Sequence, residues 1–130
     1  MHNKVGVKWA VDFQDEFARD YEALATEVQD ELLASIELLE RFGPSLGRPW
    51  ADTLQGSRYA NMKELRFVAA DGVWRVAFAF DPHRTGILLV AGDKSGGSEK
   101  RFYRRLINTA DARFGAHLAR IKSEKQKERK

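Results

Sequence analysis

Two strand-like runs joined by Asp71-Gly72 are the feature that most constrains the fold of this chain. An Asp-Gly pair favours the type I′ turn of a hairpin, because both central residues of that turn need a positive φ. The run before it reads MKELRFVA, the run after it reads VWRVAFAF, and a third run, GILLVAG, follows the looser turn DPHRTG. The alternation within these runs predicts three consecutive antiparallel strands.

The turn also predicts which side chains share a face of the sheet. If Asp71 and Gly72 are the loop residues, Arg66 lies opposite Ala77, and Arg75 becomes its diagonal neighbour. The other face then carries an apolar patch, and a slip of one residue would bury both guanidinium groups, so the apolar pattern determines the face. The residues of that patch are Leu65, Phe67, Val76 and Phe78.

The face that carries the two arginines has two interpretations. In the first, Arg75 pairs with Glu64 and the charges only solvate an exposed sheet face, which is the common role of charged residues on a sheet. In the second, Ala77 and Ala79 leave the face shallow and open, so that it binds an anion. Lys94, in the glycine-rich segment AGDKSGG, places one more cation after the third run.

Helical periodicity flanks the three runs. In residues 14–42 apolar side chains recur every three or four positions, as on one face of a helix. We expect a break near Ala25, because Thr26 and Gln29 match the spacing of a capping box. The result is a helical hairpin that ends at Gly43-Pro44.

The remaining segments complete the expected architecture. VGVKWAVDF, before the hairpin, alternates like a half-buried strand, and residues 43–61 predict a loop from their Gly, Pro and Ser content. A last helix is expected over 98–121. The predicted fold is therefore α+β: a mostly antiparallel four-stranded sheet with an N-terminal helical hairpin and a C-terminal helix.

The length of 130 residues fits one domain, expected over 1–121, followed by a basic tail at 122–130 that we expect to be disordered. The chain has no cysteine, which excludes disulfides and thiolate sites. Its first residues lack the apolar run of a signal peptide, and no segment is long and apolar enough to span a bilayer. We expect a cytoplasmic protein without a membrane partner.

Charge is distributed unevenly along the chain. Residues 1–55 carry a net charge of −6 and residues 98–130 a net charge of +7, within a total of +3. A basic segment of this kind suggests a polyanionic partner, although the charge pattern taken alone is more often explained by the solvation of helix faces. The acidic helices are expected to be solvated, or else to meet basic residues of a partner protein.

Two other chemistries find little support. Paired-histidine catalysis would need two of His2, His83 and His117 to meet, and nothing in their spacing brings them together. Asp71, Asp81 and Asp93 lie at expected turns, where an aspartate bonds its own backbone, and no metal-ligand spacing is present. We therefore expect neither a metal nor another cofactor.

Three segments resemble a known family, the HigB-type, phage-related branch of the RelE/ParE superfamily of toxin–antitoxin toxins. They read NMKELRF, DGVWRVAFAFDP and ILLVAGDKSGGSEKRFY, and the similarity extends over about residues 5–121. The resemblance implies a RelE-like fold and an endoribonuclease that cleaves mRNA on the ribosome without a metal. In the mechanism that the resemblance implies, the ribose 2′-OH attacks the adjacent phosphate and leaves a 2′,3′-cyclic phosphate and a 5′-OH. It also implies inhibition by a HigA-type helix-turn-helix antitoxin in a hetero-oligomer.

The resemblance assigns catalytic roles to Arg66, Arg75, Lys94 and Tyr103. Arg75 matches an arginine that stabilises the phosphorane, and Arg66 shares that role or grips the neighbouring phosphate. Lys94 would stabilise or protonate the leaving 5′-oxygen. Tyr103 would orient or deprotonate the 2′-OH or stack on a base, although its place on an apolar helix stripe fits a packed core tyrosine equally well.

The chain departs from the RelE pattern at Glu64, where that toxin has a lysine-rich strand. This carboxylate is either a general base or a holder of the arginines, and the second role is favoured because neighbouring arginines lower a carboxylate pKa. Lys63 has the parity of the core face but lies at the mouth of the strand, from which it would reach RNA. The other RNA-binding candidates are Arg58, Lys100, Arg101 and Arg104.

Two non-enzymatic functions remain as alternatives. The chain would be a non-catalytic module that binds RNA or the ribosome, with the basic helix making phosphate contacts only. Otherwise it would be a degenerate toxin that only binds its antitoxin. The alternatives differ from the nuclease in whether Arg66, Arg75 and Lys94 affect bond cleavage or only affinity.

Overall fold

A computed structural model describes residues 8–128 as a five-stranded sheet with helices on both faces. The strand order is β1-β5-β4-β3-β2, in which β1 runs parallel to β5 and the other neighbours are antiparallel. The strands are β1 (Val11–Phe13), β2 (Ala51–Thr53), β3 (Lys63–Ala69), β4 (Gly72–Phe80) and β5 (Gly86–Asp93). The helices are α1 (Asp15–Glu22), α2 (Thr26–Phe42) and α3 (Glu99–Glu128), with a 3₁₀ turn at Gly43–Ser45.

The α+β class is confirmed, but the sheet is mixed and has five strands rather than four. The additional strand, β2, lies inside the segment that was expected to be a loop, and it pairs with β3. Three residues are too few for an alternating pattern to show. β1 is also shorter than the expected strand, because residues 8–10 are not part of it, and Val5 and Val7 lie outside the described residues.

The N-terminal helices break where expected, between Glu22 and Thr26, but the expected capping box does not form. The side chain of Gln29 donates from Nε2 to the Tyr21 carbonyl at 2.8 Å, and the start of α2 has no side-chain cap. The two helices are also not a packed hairpin, since α1 lies mainly against β5 and α2 against β3. Each helix therefore covers its own part of one sheet face.

The β3–β4 hairpin is shifted by two residues from the expected register. The turn residues are Ala70 and Asp71, with φ values of 50° and 62°, and Gly72 already belongs to β4. The strand requires a glycine at position 72, because a Cβ there would lie 2.7 Å from Asp93 Oδ2. An even shift keeps the faces as predicted, but it places Arg66 directly opposite Arg75 instead of diagonal to it.

The alanines of β4 serve a different purpose from the one expected. Ala77 and Ala79 are fully buried in a cluster with α3 residues, including Ala110 and Phe114. The expectation of a shallow, open face is therefore wrong for this part of the sheet. Small side chains bring the helix close to the strand, so the alanines make room for α3 and not for a ligand.

Helix α3 continues to Glu128, through most of the segment that was expected to be disordered, and residues 122–128 of it are exposed. Its earlier turns cross the sheet. Within residues 8–128, no helix combines the length and apolarity needed to cross a bilayer. Because α3 begins beside the end of β5, its first turns lie above the part of the sheet that carries the two arginines.

Candidate functional site

Arg75 lies buried in the middle of β4, with 6% of its surface exposed. Its Nε donates to the Tyr103 hydroxyl at 3.2 Å, and its Nη1 donates to the Trp74 carbonyl at 3.0 Å. Its Nε also lies 3.9 Å from Glu64 Oε1, so the two side chains form an ion pair. The first interpretation of this face was right about the pairing and wrong about the setting, because the pair lies under α3 and not on a solvated sheet.

Glu64 is enclosed between the two arginines and is only 5% exposed. Its Oε2 lies 4.0 Å from Arg66 Nε, and its Oε1 accepts no hydrogen bond from residues 8–128. Burial raises the pKa of Glu64, and the Tyr103 hydroxyl and the guanidinium groups of Arg75 and Arg66 offset that effect only in part. The expectation that arginines would lower the pKa of this carboxylate is therefore wrong, because desolvation outweighs them.

Tyr103 and Lys94 complete the group. Burial raises the pKa of the Tyr103 phenol, against the hydrogen bond from Arg75, and the charge of Glu64 raises it further. Lys94 Nζ lies 5.8 Å from the centroid of the Tyr103 ring and 3.4 Å from Glu99 Oε1. Tyr103 is thus both packed against the α3 core and bonded to Arg75, so neither sequence interpretation excluded the other.

We call five residues the arginine cluster: Glu64, Arg66, Arg75, Lys94 and Tyr103. All four residues predicted to be catalytic belong to it. Arg66 and Arg75 lie on one face of the β3–β4 hairpin, as the strand parity predicted, and Lys94 lies in the loop between β5 and α3. The contact with Tyr103 depends on how α3 crosses the sheet.

An open cavity of about 370 Å³ adjoins the cluster at the end of the β3–β4 hairpin. We call it the arginine groove, and it is lined by Arg48, Pro49, Arg66, Phe67, Val68, Val73 and Arg75. Its charged side has three guanidinium groups, and Pro49, Val68 and Val73 make its wall partly apolar. This is the space in which a ligand can reach Arg75 and Arg66 together.

Two charged residues that were not predicted as site residues lie beside Arg66: Arg48, which lines the groove, and Asp52. Arg48 Nη2 lies 2.7 Å from Asp52 Oδ2, and the same oxygen lies 3.6 Å from Arg66 Nη1. The hydrogen bond from Arg48 is the main reason that the pKa of Asp52 is lowered. Both residues lie in or beside β2, so recognising that strand would have placed them next to β3.

The predicted RNA-binding residues are spread over the surface. Lys63 is on the opposite face, where its Nζ donates to the Pro44 carbonyl at 2.6 Å, so it does not reach toward the arginine cluster. Arg58 lies beside the middle of α3, and its backbone N–H donates to Asp111 Oδ2 at 3.0 Å. Lys100, Arg101 and Arg104 are exposed on the first turns of α3. Of these three, Arg101 lines a second cavity, of about 410 Å³, beside β5.

Asp81, His83 and His117 do not join the cluster. Asp81 accepts the backbone N–H groups of His83 and Thr85, as expected for a turn aspartate, and it also pairs with His117, which was not expected. Of the three histidines, His2 lies outside the described residues. Within residues 8–128, no three histidine or acidic side chains converge as metal ligands would.

Comparison with known proteins identifies the family. A family model described as "Phage derived protein Gp49-like (DUF891)" matches residues 19–115. The chain belongs to this Gp49-like family. It is 45% identical over 109 residues to a Mycobacterium tuberculosis protein named "Putative toxin HigB2", in an alignment that covers 82% of this chain and 53% of the relative. It is also 45% identical over 97 residues to "Putative toxin HigB3" of the same organism, covering 75% of this chain and 82% of the relative.

These matches confirm the resemblance to the HigB-type branch, although the chain spans only about half the length of the HigB2 relative. A solved structure of the free E. coli toxin RelE, an arginine-to-alanine double mutant, superposes with a TM-score of 0.54 at 11% identity. That superposition covers 77% of this chain and 94% of RelE. At this level of identity it shows the shared fold, and so it confirms the expected RelE-like fold.

The Gp49-like match contains the whole arginine cluster, since all five of its residues lie within 19–115. It ends inside α3, before the exposed last turns of that helix. The part of the chain that carries the charged cluster is therefore the part that is typical of the family.

Proposed function

We propose that this Gp49-like chain is the toxin of a toxin–antitoxin system and cleaves mRNA as a metal-independent endoribonuclease. The observation that carries the proposal is the setting of Arg75. A buried guanidinium held in place by Tyr103 and the Trp74 carbonyl faces an open groove, with Arg66 directly across the hairpin. A rigid cation at the end of an accessible groove is suited to stabilising charge that develops on a phosphate.

The donors of Arg75 allow this role. A guanidinium has five N–H groups, and Tyr103 and Trp74 accept one each. The remaining donors would bind the scissile phosphate together with Arg66, in the forked geometry that guanidinium groups provide. Because the side chain is already ordered, it loses little freedom when the pentacoordinate phosphorane forms.

The same cluster supplies the proton transfers. The 2′-oxygen forms a bond to phosphorus as its proton moves to Glu64, and the bond from phosphorus to the 5′-oxygen breaks as Lys94 gives that oxygen a proton. Glu64 and Tyr103 line a further cavity of about 300 Å³, through which a ribose can approach them. The raised pKa of Glu64 favours the role of base over that of a mere holder of arginines, and Tyr103 would orient the 2′-OH.

The expected partners follow from the positive charge on α3 and from the similarity to proteins named as HigB toxins. The exposed cations on the first turns of α3, Lys100, Arg101 and Arg104, would bind phosphates of mRNA or of the ribosome. The HigB names of the relatives support a cognate HigA-type helix-turn-helix antitoxin that forms a hetero-oligomer with this chain. Such a toxin would act in the cytoplasm.

The test is cleavage of an end-labelled mRNA in a cell-free translation reaction with the purified protein. Parallel reactions omit ribosomes, or use Arg75→Ala or the partly exposed Arg66→Ala. Arg84→Ala is the control, because Arg84 lies at the β4–β5 turn and stacks on Trp9. The proposal predicts cuts that leave a 5′-OH and need ribosomes, Arg75 and Arg66 but not Arg84.

Two other results have definite meanings. Cuts on naked RNA would support the nuclease function but contradict its dependence on the ribosome. Intact mRNA in every reaction, with protein shown by circular dichroism to be folded, would contradict the nuclease. It would then favour a non-catalytic module or a degenerate toxin.

A further inference from the structure

Trp50 is the most unusual surface residue near the arginine groove. Half of its surface is exposed, so its ring is accessible to a ligand. It directly follows Arg48 and Pro49, both of which line the groove, and its carbonyl accepts the Arg66 N–H at 2.9 Å. The backbone of Trp50 is thereby held beside that of Arg66, and it follows directly in the chain on two residues that line the groove.

The groove beside Trp50 combines two kinds of lining. Val68, with 69% of its surface exposed, lies opposite Val73, and together with Pro49 they form an apolar wall. The same groove is lined by Arg48, Arg66 and Arg75. The carboxylate of Asp52 pairs with Arg48 and with Arg66. A ligand that fits must therefore present a flat apolar surface and a negative charge a short distance apart.

An unpaired nucleotide has this combination. Its base stacks on aromatic and apolar side chains whatever its sequence, and its phosphate binds guanidinium groups. An apolar peptide segment would make no use of the three guanidinium groups of the groove, and an acidic one would leave Trp50 and Val68 uncovered. The groove therefore favours single-stranded RNA over a peptide.

We propose that the arginine groove binds the nucleotide next to the scissile phosphate, with its base stacked on Trp50. This rests on the proposed function, because it places the base beside the phosphate that Arg75 and Arg66 would hold. It assigns Trp50 a role in binding the substrate and none in the chemical step.

The test uses short single-stranded RNA in which a 2′-deoxy nucleotide replaces the one that carries the attacking hydroxyl, so that binding is measured without cleavage. Trp50→Ala should weaken binding about tenfold, and Trp50→Phe should retain most of it. Phe42→Ala is the matched control, because Phe42 is similarly exposed, at 46%, at the end of α2. RNA should also quench tryptophan fluorescence in the wild type and not in Trp50→Phe, which retains Trp9 and Trp74.

An abasic scan of the same RNA decides whether a base is the contact. Removing one base next to the cleavage position should weaken binding to the wild type about tenfold and should have no further effect on Trp50→Ala. Equal losses in both proteins, or no binding of the RNA at millimolar concentration, would overturn the proposal. A different combination is that one base needs Trp50 for its effect on binding while mRNA stays intact in the translation reaction. That combination would support the nucleotide-binding site and contradict the nuclease function.

Discussion

Two buried pairs of polar side chains, Asp81 with His117 and Glu64 with Arg75, lie where α3 packs on the sheet, and they differ in how completely their polar groups are satisfied. At the Asp81–His117 pair, the aspartate accepts two backbone N–H groups at Oδ1, and its Oδ2 lies 2.8 Å from His117 Nε2. The cavity beside His117 has a volume of only about 60 Å³. At the Arg75–Glu64 pair, the ions are 3.9 Å apart, and Glu64 Oε1 accepts no hydrogen bond from the part of the chain that the structure describes.

Under the proposed function, this difference distinguishes a structural pair, Asp81–His117, from a pair that acts on the substrate, Arg75–Glu64. A buried pair with every donor and acceptor matched stabilises one arrangement of the chain and offers nothing to a ligand. A pair with unmatched groups beside an open groove costs stability, and such a cost is typical of sites that act on a ligand. Substitutions in the two pairs should therefore have different effects on cleavage and on stability.

The largest effect is expected for Glu64→Gln. The amide cannot accept the 2′-OH proton, so cleavage of ribosome-bound mRNA should fall by about 10²- to 10⁴-fold. The melting temperature should not fall, because the substitution removes a buried carboxylate that burial destabilises. Cleavage within a few-fold of wild type would show that Glu64 only holds the arginines.

The opposite pattern is expected for Asp81→Ala. The variant leaves His117 without its partner and two N–H groups of the β4–β5 turn unbonded, so the free energy of unfolding should fall by about 3 kcal/mol. Cleavage per folded molecule should stay at the wild-type level. A urea titration and a single-turnover assay on the same preparation provide both measurements. A loss of cleavage in molecules that remain folded would make this pair functional as well.

The effect of Glu64 on cleavage and the effect of Asp81 on stability should be lost at different pH values. The pKa of Glu64 is raised above its usual 4.5, so the base is protonated and cleavage is lost as pH falls through that raised value. The pKa of Asp81 is lowered below its usual 3.8, since its hydrogen bonds outweigh desolvation by burial. Its contribution to stability is present above 3.8 and is lost as pH falls through the lowered pKa.

Activity should therefore disappear at a higher pH than the fold does. Single-turnover rates and far-ultraviolet circular dichroism over the same pH series will measure the two losses. In Glu64→Gln the acidic limb of the rate profile should be absent. A single midpoint shared by rate and fold would contradict the assignment of different roles to the two pairs.

The smallest effect is expected for Lys63→Ala. Its Nζ bonds the Pro44 carbonyl on the far side of the sheet, so cleavage should change by less than about twofold, and stability should fall by about 0.5–1 kcal/mol. The same assays on Lys94→Ala provide the matched comparison, because Lys94 belongs to the arginine cluster. Equal losses of cleavage in the Lys63→Ala and Lys94→Ala variants would show that Lys63 also contacts the substrate.

Local pattern predicted the faces of the strands, and long-range packing decided what covers them. Period-two alternation correctly placed Arg66 and Arg75 together and gave Lys63 the core face. It carried no information on α3, and so the two alanines of β4 were interpreted as open surface although the helix lies on them. β2 was missed because it is short, and with it the pairing of Arg48 and Asp52 beside Arg66.

The central claim is that Arg75 acts on the transition state, and Arg75→Lys tests it most directly. Lysine keeps the charge but lacks the fork that both holds Tyr103 and binds two phosphate oxygens. Single-turnover cleavage of ribosome-bound mRNA should slow by about 10²-fold, while the affinity for the ribosome–mRNA complex changes by less than about threefold. Rate and affinity falling by the same factor, or an unchanged rate, would contradict the account.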